Sequence, residues 1–315
     1  MNILYLGGAG FIGSAFRQSI IDGTIKHPAL ESLTLASRRL HDTPPKRCKD
    51  NVQLSQCNMD VRFLYPEDLN DYDVVIHGAT HSSHTKFASN EEVFDEIITT
   101  TRQICLACSI AKVPLVFLSS GAVYDKKSIG NKPFEETDPI VDENYSDPYA
   151  RGKRAAEELA LSFYKNTNIA VGIMRIFSVA GQNLPRNQHF AIGNFFEDAR
   201  SGRNIVVKTT RKVFRSYIYQ TDLCQQIIEM ASHCVTTNRA TIVNAGGEEA
   251  LELRELARKI AAKFGVNVKS NDYMEGTVDD WYIPSMSLSR NLFPNFKAIS
   301  IDEQISRIAA GTNLY

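Results

Sequence analysis

Apolar residues fall along this chain in two rhythms. Short apolar runs occur at 2–7 (NILYLG), 32–37 (SLTLAS), 52–57 (VQLSQC), 73–79 (DVVIHGA), 114–120 (PLVFLSS) and 170–177 (AVGIMRIF). Most are apolar through their centres, as strands buried on both faces must be. Between them, 11–21, 91–111 and 149–167 read as helices. Strand and helix in alternation predict βαβ units, hence an α/β fold built on a doubly wound parallel sheet.

After about Phe177 the rhythm loosens. Gly, Pro and Asn make 178–188 loop-like, 189–202 reads as a helix ending at Gly202, and 204–208 and 215–220 read as strands. A helix is expected from the Thr221-Asp222 cap signal onward. A further strand follows at 241–247, then a strongly amphipathic helix at 251–264 closed by Gly265. The expected division is a doubly wound domain at 1–177, with 215–247 returning to it, and a smaller C-terminal α/β lobe at 178–214 and 248–315.

At 315 residues the chain has room for one large domain or two unequal lobes. Hydrophobic residues are 43% and charged residues 23%, and the formal net charge is -1. No global basic field exists to hold nucleic acid or an anionic membrane, so an anionic ligand needs a local basic pocket. No run approaches the roughly 18 apolar residues of a membrane span. The apolar start is too short for a signal-peptide core. A cytoplasmic protein is expected. Of six cysteines only Cys105 and Cys108 are close, in a helical pattern with no second pair, so free thiols rather than a zinc site are expected. Among the histidines, His77 ends a strand, and His81 and His84 sit in a Ser/Thr-rich loop without partners at metal-ligand spacing. No metal is expected.

The first run passes straight into Gly7-Gly8-Ala9-Gly10-Phe11-Ile12-Gly13-Ser14. Glycines at 7, 10 and 13 let the backbone turn tightly and approach a pyrophosphate. The helix that follows aims its N–H groups and positive dipole end at the phosphates. Strand, glycines and helix in that order are the context of a Rossmann-type dinucleotide site. After the second strand come Ser37, Arg38 and Arg39, with no acid before Asp42. An acid there would bond the ribose of NAD, whereas arginine accommodates the 2′-phosphate of NADP. NADP is favoured and NAD stays open.

Two further elements carry chemistry. Tyr149 and Lys153 stand four apart behind Asp147 and Pro148, which suit a cap and a first helical turn, so they share one helix face. A phenol of pKa near 10 is only about one-thousandth ionised at neutral pH, and a nearby ammonium favours its ionised form. The fifth run ends in Ser119 and Ser120, at the sheet edge where ligands bind. A serine there can hold a substrate hydroxyl or carbonyl while a proton and a hydride move.

The order of GGAGFIGS, DVVIHGAT, FLSSGAVYD, PYARGK and RSYIYQTDL resembles the extended short-chain dehydrogenase/reductase family, in its nucleotide-sugar epimerase/dehydratase branch, over nearly the whole chain. The resemblance implies Ser120 as polarising hydroxyl, Tyr149 as acid/base and Lys153 as its activator. It implies cofactor contacts at Gly7, Gly10, Phe11, Ile12, Gly13, Ser37, Arg38, Arg39, Asp60, Val61, Ala79, Thr80, Tyr149 and Lys153. Substrate contacts are implied at His81, Ser120, Gly121, Ala122, Asn194 and Arg215, with Arg215 on the substrate's diphosphate. A homodimer through the helices 90–111 and 149–166 is also implied.

This chain departs from the pattern in places. Gly121 and Ala122 stand where the branch's 4,6-dehydratases carry an Asp-Glu pair. Glu96 or its neighbours, and Ser178, stand where many relatives have asparagine. His189 is either a sugar or phosphate contact or an ordinary histidine. Asp279 and Asp280, before Trp281, read as a sugar contact or, more often for such a pair, as a solvated turn. The expected activity is reduction of a 4-keto group on a nucleotide-diphosphate sugar. A 4-epimerase with retained NAD is the alternative, and a catalytically silent nucleotide sensor a remote one.

Overall fold

The computed structural model describes residues 1–39, 48, 51–80, 90–182, 184 and 190–311. In chain order its strands and helices are β1 (Asn2–Leu6), α1 (Phe11–Asp22), β2 (Ser32–Ser37), β3 (Gln53–Asn58), β4 (Val74–His77), α2 (Asn90–Ala111), β5 (Leu115–Ser120), α3 (Lys126–Ile129), α4 (Pro148–Thr167), β6 (Val171–Ile176), β7 (Ser178–Ala180) and α5 (Ala191–Arg200). They continue with β8 (Ile205–Val207), β9 (Val213–Arg215), β10 (Tyr217–Tyr219), α6 (Gln220–Thr237), β11 (Ala240–Ala245), β12 (Leu251–Glu252), α7 (Leu253–Phe264), β13 (Val268–Ser270), β14 (Asp280–Tyr282), α8 (Ser287–Leu292) and α9 (Ile301–Ala310).

The chain forms two compact units. The first comprises Met1–Tyr124, Ile140–Ile176 and Cys224–Val243. Its seven-stranded sheet has the order β3-β2-β1-β4-β5-β6-β11 and runs parallel from β3 to β6. This is the doubly wound α/β arrangement the sequence predicts, with the order reversing between β1 and β4, where such sheets open a crevice for ligands. β4, β5 and β6 are buried at every position, because helices cover both faces. β3, at the sheet's edge, is the exception: its Ser, Gln and Asn side chains leave only Leu54 buried.

α4 shows why its sequence stops and starts where it does. Asp147 accepts the Tyr149 N–H at 2.9 Å, Pro148 occupies the first turn, and Asn168 ends the helix in a left-handed conformation at φ 56. Its small face of Ala150, Gly152, Ala156 and Ala160 is buried. A Cβ at Gly152 would stand 2.9 Å from the end of the Ile97 side chain on α2, so an added methyl there would have to displace that side chain. All six cysteines are free, and burial pushes the Cys105 thiol up to about 12. Among the described residues, no helix is long and apolar enough to cross a membrane.

The second unit comprises Asp125–Pro139, Phe177–Leu223 and Asn244–Tyr315. It holds small sheets (β7 with β10, β8 with β13, and β12-β9-β14) around α5, α7 and α9. Some details differ from the sequence reading. α6 begins at Gln220, ahead of the expected Thr-Asp signal, and the Asp222 carboxylate accepts the Ile299 N–H at 2.8 Å. Asp280 is not in a solvated turn. It opens β14, which pairs with β9, and Arg215 donates to its carboxylate at 2.9 Å.

Candidate active site

The glycine loop follows β1 directly. Gly7 has φ +106, a region open to glycine, and its N–H and that of Gly8 both donate to Ala36 O, at 2.9 and 2.8 Å. A Cβ on Gly7 would lie 2.7 Å from the Gly78 carbonyl, so the loop and the end of β4 touch backbone to backbone. A Cβ on Gly13 would lie 2.5 Å from Gly8 O, so this glycine seats α1 against the loop. Gly10 is different. Its φ is ordinary at -78, and a Cβ there would meet only Gly7 O, at 3.2 Å. α1 has neither a side-chain cap nor an acid in its first turn. The amides at its start, from Phe11 through Gly13, therefore suit an anionic group, and the loop fits a dinucleotide pyrophosphate.

At the end of β2, Ser37 donates its hydroxyl to the Arg39 carbonyl, and Arg38 and Arg39 are exposed. Asp60 follows β3 and starts the turn at Val61. It accepts from the Arg62 backbone at 3.1 Å and from the Arg62 guanidinium at 3.0 Å. The hydrogen-bonded Arg62, with a smaller contribution from Arg38, holds this carboxyl at about 2.

The carboxyl ends of β4 and β5 meet the first turns of α4. Ser120 accepts the Ala122 N–H at 3.1 Å and hydrogen-bonds the Tyr149 phenol. Lys153, 3% exposed, donates to Leu118 O at 2.7 Å and to Thr80 Oγ1 at 3.1 Å. Its nitrogen stands 4.8 Å from the Phe117 ring centre and 5.8 Å from that of Tyr149. Ser120, Tyr149 and Lys153 are brought together, with Gly121 and Ala122 following Ser120 in the chain and Thr80, next to Ala79, bonded to Lys153. His77 is buried beneath, within 3.2 Å of Thr101, and burial, reinforced by Lys153, pushes it down to about 3, so it is neutral.

The electrostatics differ from the sequence argument in one respect. Burial pushes Lys153 down to about 7, with Glu157 acting in the opposite sense. Burial raises the Tyr149 phenol above its ordinary value, although the Ser120 hydrogen bond draws it back. Lys153 therefore loses its proton before Tyr149 does, and the ammonium lowers the phenol's pKa only where something keeps it charged.

In the second unit, Arg215 on β9 donates to Asp280 O at 3.0 Å and to both carboxylate oxygens. Lys126 and Arg211 also reach Asp280, at 3.8 and 3.2 Å. Burial raises the Asp280 carboxyl, but these three cations outweigh it and the group ends lowered. Three cations on one carboxylate leave a positive surplus suited to an anion. Asn194 is half-buried on α5. His81, His84, His189 and Asp42 lie outside the described residues. Glu96 sits on α2 near Arg62, while the same helix offers Thr101 to His77. The sequence reading missed Glu157 and Arg175, which with Ser119 form a buried trio beside Lys153. It missed Lys126 and Arg211 as well, and nothing in their local sequence marks any of these four.

The profile of the NAD dependent epimerase/dehydratase family matches residues 3–246. A putative UDP-arabinose 4-epimerase of Arabidopsis thaliana is 25% identical over 307 residues, covering 89% of this chain and 71% of the relative. A UDP-glucose 4-epimerase of Lactobacillus helveticus is 28% identical over 284 residues, covering 82% of each. Among solved structures, a UDP-N-acetylglucosamine 4-epimerase from Bacillus cereus superposes with a TM-score of 0.77 at 18% identity, covering 100% of this chain and 98% of that one.

Proposed function

Because the chain belongs to the NAD dependent epimerase/dehydratase family, we propose that it is a nucleotide-sugar 4-epimerase that retains NAD. The observation that carries this reading is the Ser120–Tyr149–Lys153 cluster beside the glycine loop. Bound NAD supplies a reversible hydride acceptor. Gly7, Gly10 and Gly13 with the amides at the start of α1 hold its pyrophosphate, and Asp60 and Val61 its adenine end. Thr80 and Lys153 serve its ribose side. Tyr149 takes the proton from the sugar's C4 hydroxyl on oxidation and returns it on reduction, while Ser120 holds the same oxygen. Arg215 takes the substrate's diphosphate, and His81, Gly121, Ala122 and Asn194 are assigned to the substrate with it.

The relatives' 4-epimerase activity favours epimerisation over reduction of an external 4-keto sugar. Gly121 and Ala122 bear no acid or base, which counts against water elimination. NAD is favoured over NADP, because the family whose profile matches is NAD dependent. Mass spectrometry of the nucleotide retained on purification, followed by incubation with UDP-glucose, UDP-arabinose and UDP-N-acetylglucosamine, tests the reading. Retained NAD and interconversion at C4 are expected. Loosely held NADPH, consumed with a 4-keto sugar nucleotide and without epimerisation, would overturn it in favour of the reductase. Replacing Arg38 and Arg39 with Ala should leave NAD affinity nearly unchanged. A loss of about tenfold or more confined to NADP would instead return those arginines to the 2′-phosphate.

The same reading includes a homodimer. Leu106 and Ile110, one turn apart on α2, are 45% and 60% exposed. Light scattering at micromolar concentration should give twice the chain mass, and Ile110→Glu should shift it toward one. A monomeric wild-type protein would remove this part of the proposal.

A further inference from the structure

Three successive residues of β5 are matched to three successive turns of α4. Ser120 meets Tyr149, the Leu118 carbonyl accepts from Lys153, and Ser119 donates to Glu157 at 2.5 Å. Positions 149, 153 and 157 recur every fourth residue, so they form one line along the helix. The third contact is the most buried: Ser119, Glu157 and Arg175 are 3%, 2% and 4% exposed. Arg175, on β6 beside β5, donates to both Glu157 oxygens, by Nε at 3.1 and 3.2 Å and by Nη2 at 2.8 Å. Its guanidinium also lies 4.8 Å over the ring of Tyr124.

An ion pair this deep carries a large desolvation cost, and an apolar pair of similar volume often stabilises as well or better. Stability alone therefore does not account for it. A carboxylate one turn from Lys153 has an electrostatic consequence that an apolar residue would not. We propose that Glu157 is a positioning residue for the Ser120–Tyr149–Lys153 centre, holding α4 in register with β5 and supplying the buried negative charge that favours the ammonium form of Lys153. The titratable and charged groups around Lys153 are Tyr149 and Glu157 on its own helix, His77 on β4 and Arg175 on β6. His77 is neutral, and the Tyr149 phenol is neutral until after Lys153 has lost its proton. Glu157 is thus the anion that favours the lysine's charge, and Arg175 holds it in place.

The inference rests on the reading of Tyr149 and Lys153 as the reacting pair, but its test does not need a substrate. Nitrogen NMR titration of the lysine side chains, with Lys153 identified as the signal missing in Lys153→Met, reads its protonation directly. In Glu157→Gln the Lys153 midpoint should fall by about one pH unit or more, a tenfold change in the protonation constant. Glu157→Gln/Arg175→Met removes both charges and leaves no unpaired buried cation. It should also lower the midpoint, and it carries the test if the single variant does not fold. A folded variant of either kind whose Lys153 midpoint equals the wild type would overturn the proposal and leave the pair a packing element. Loss of epimerase activity on every sugar nucleotide tried would bear on the proposed function and not on this result.

Discussion

Tyr149→Phe should lower turnover by about 10²–10⁴-fold while leaving fold and NAD affinity in place. The substitution removes one oxygen and keeps the ring, so the packing of α4 against α2 is unchanged. What is lost is the hydroxyl proposed to move the proton at the sugar, along with its hydrogen bond to Ser120. Ser120→Ala should cost less, because one polarising hydrogen bond contributes about 1–3 kcal/mol. Lys153→Met should weaken both turnover and NAD binding, since the lysine is proposed to serve the cofactor's ribose side together with Thr80, to which it donates. These are read by coupled assay with a UDP-sugar and by calorimetric NAD titration. Near-normal turnover in Tyr149→Phe with any accepted sugar nucleotide would show that the phenol is not the acid/base.

Gly10→Ala and Gly7→Ala should separate ligand approach from backbone strain. Gly10 has an ordinary φ, and its missing Cβ would meet Gly7 O at 3.2 Å, a tight contact but not an overlap. Gly10→Ala should therefore lose less stability than Gly7→Ala and bind NAD about tenfold or more weakly, because the methyl stands where the pyrophosphate must come close. Gly7→Ala should fail in both measurements. Its φ of +106 costs an alanine about 1–3 kcal/mol, and the 2.7 Å overlap with the Gly78 backbone adds a similar amount because neither side can yield. Thermal melts beside NAD titrations decide it. Full NAD affinity in Gly10→Ala would remove that glycine from the cofactor loop.

Much of the site was readable from the chain because its parts are local. The glycine loop needs only a strand, a turn and a helix in immediate succession. Tyr149 and Lys153 need only one helix, and Asp147 and Pro148 mark its start. Ser120 is placed by the apolar run it ends. Each lies within a few residues of the feature that identifies it, so spacing alone is informative.

What is not local was not readable. Glu157 looks like any helical glutamate and Arg175 like an interruption in an apolar strand. Their pairing depends on β5, β6 and α4 meeting in space, with partners 18 and 38 residues apart. The same holds for Asp280, which gathers Lys126, Arg211 and Arg215 from distant segments. Protonation was also beyond the sequence. A lysine four residues from a tyrosine suggests an activated phenol, yet burial lowers the lysine to about 7 and raises the phenol. Chain order and period determined the α/β sheet, the glycine loop and the Ser–Tyr–Lys set, because hydrophobic burial and backbone geometry act over short separations. Tertiary packing alone decided which charges survive burial, since the cost of desolvating an ion depends on every group that closes around it.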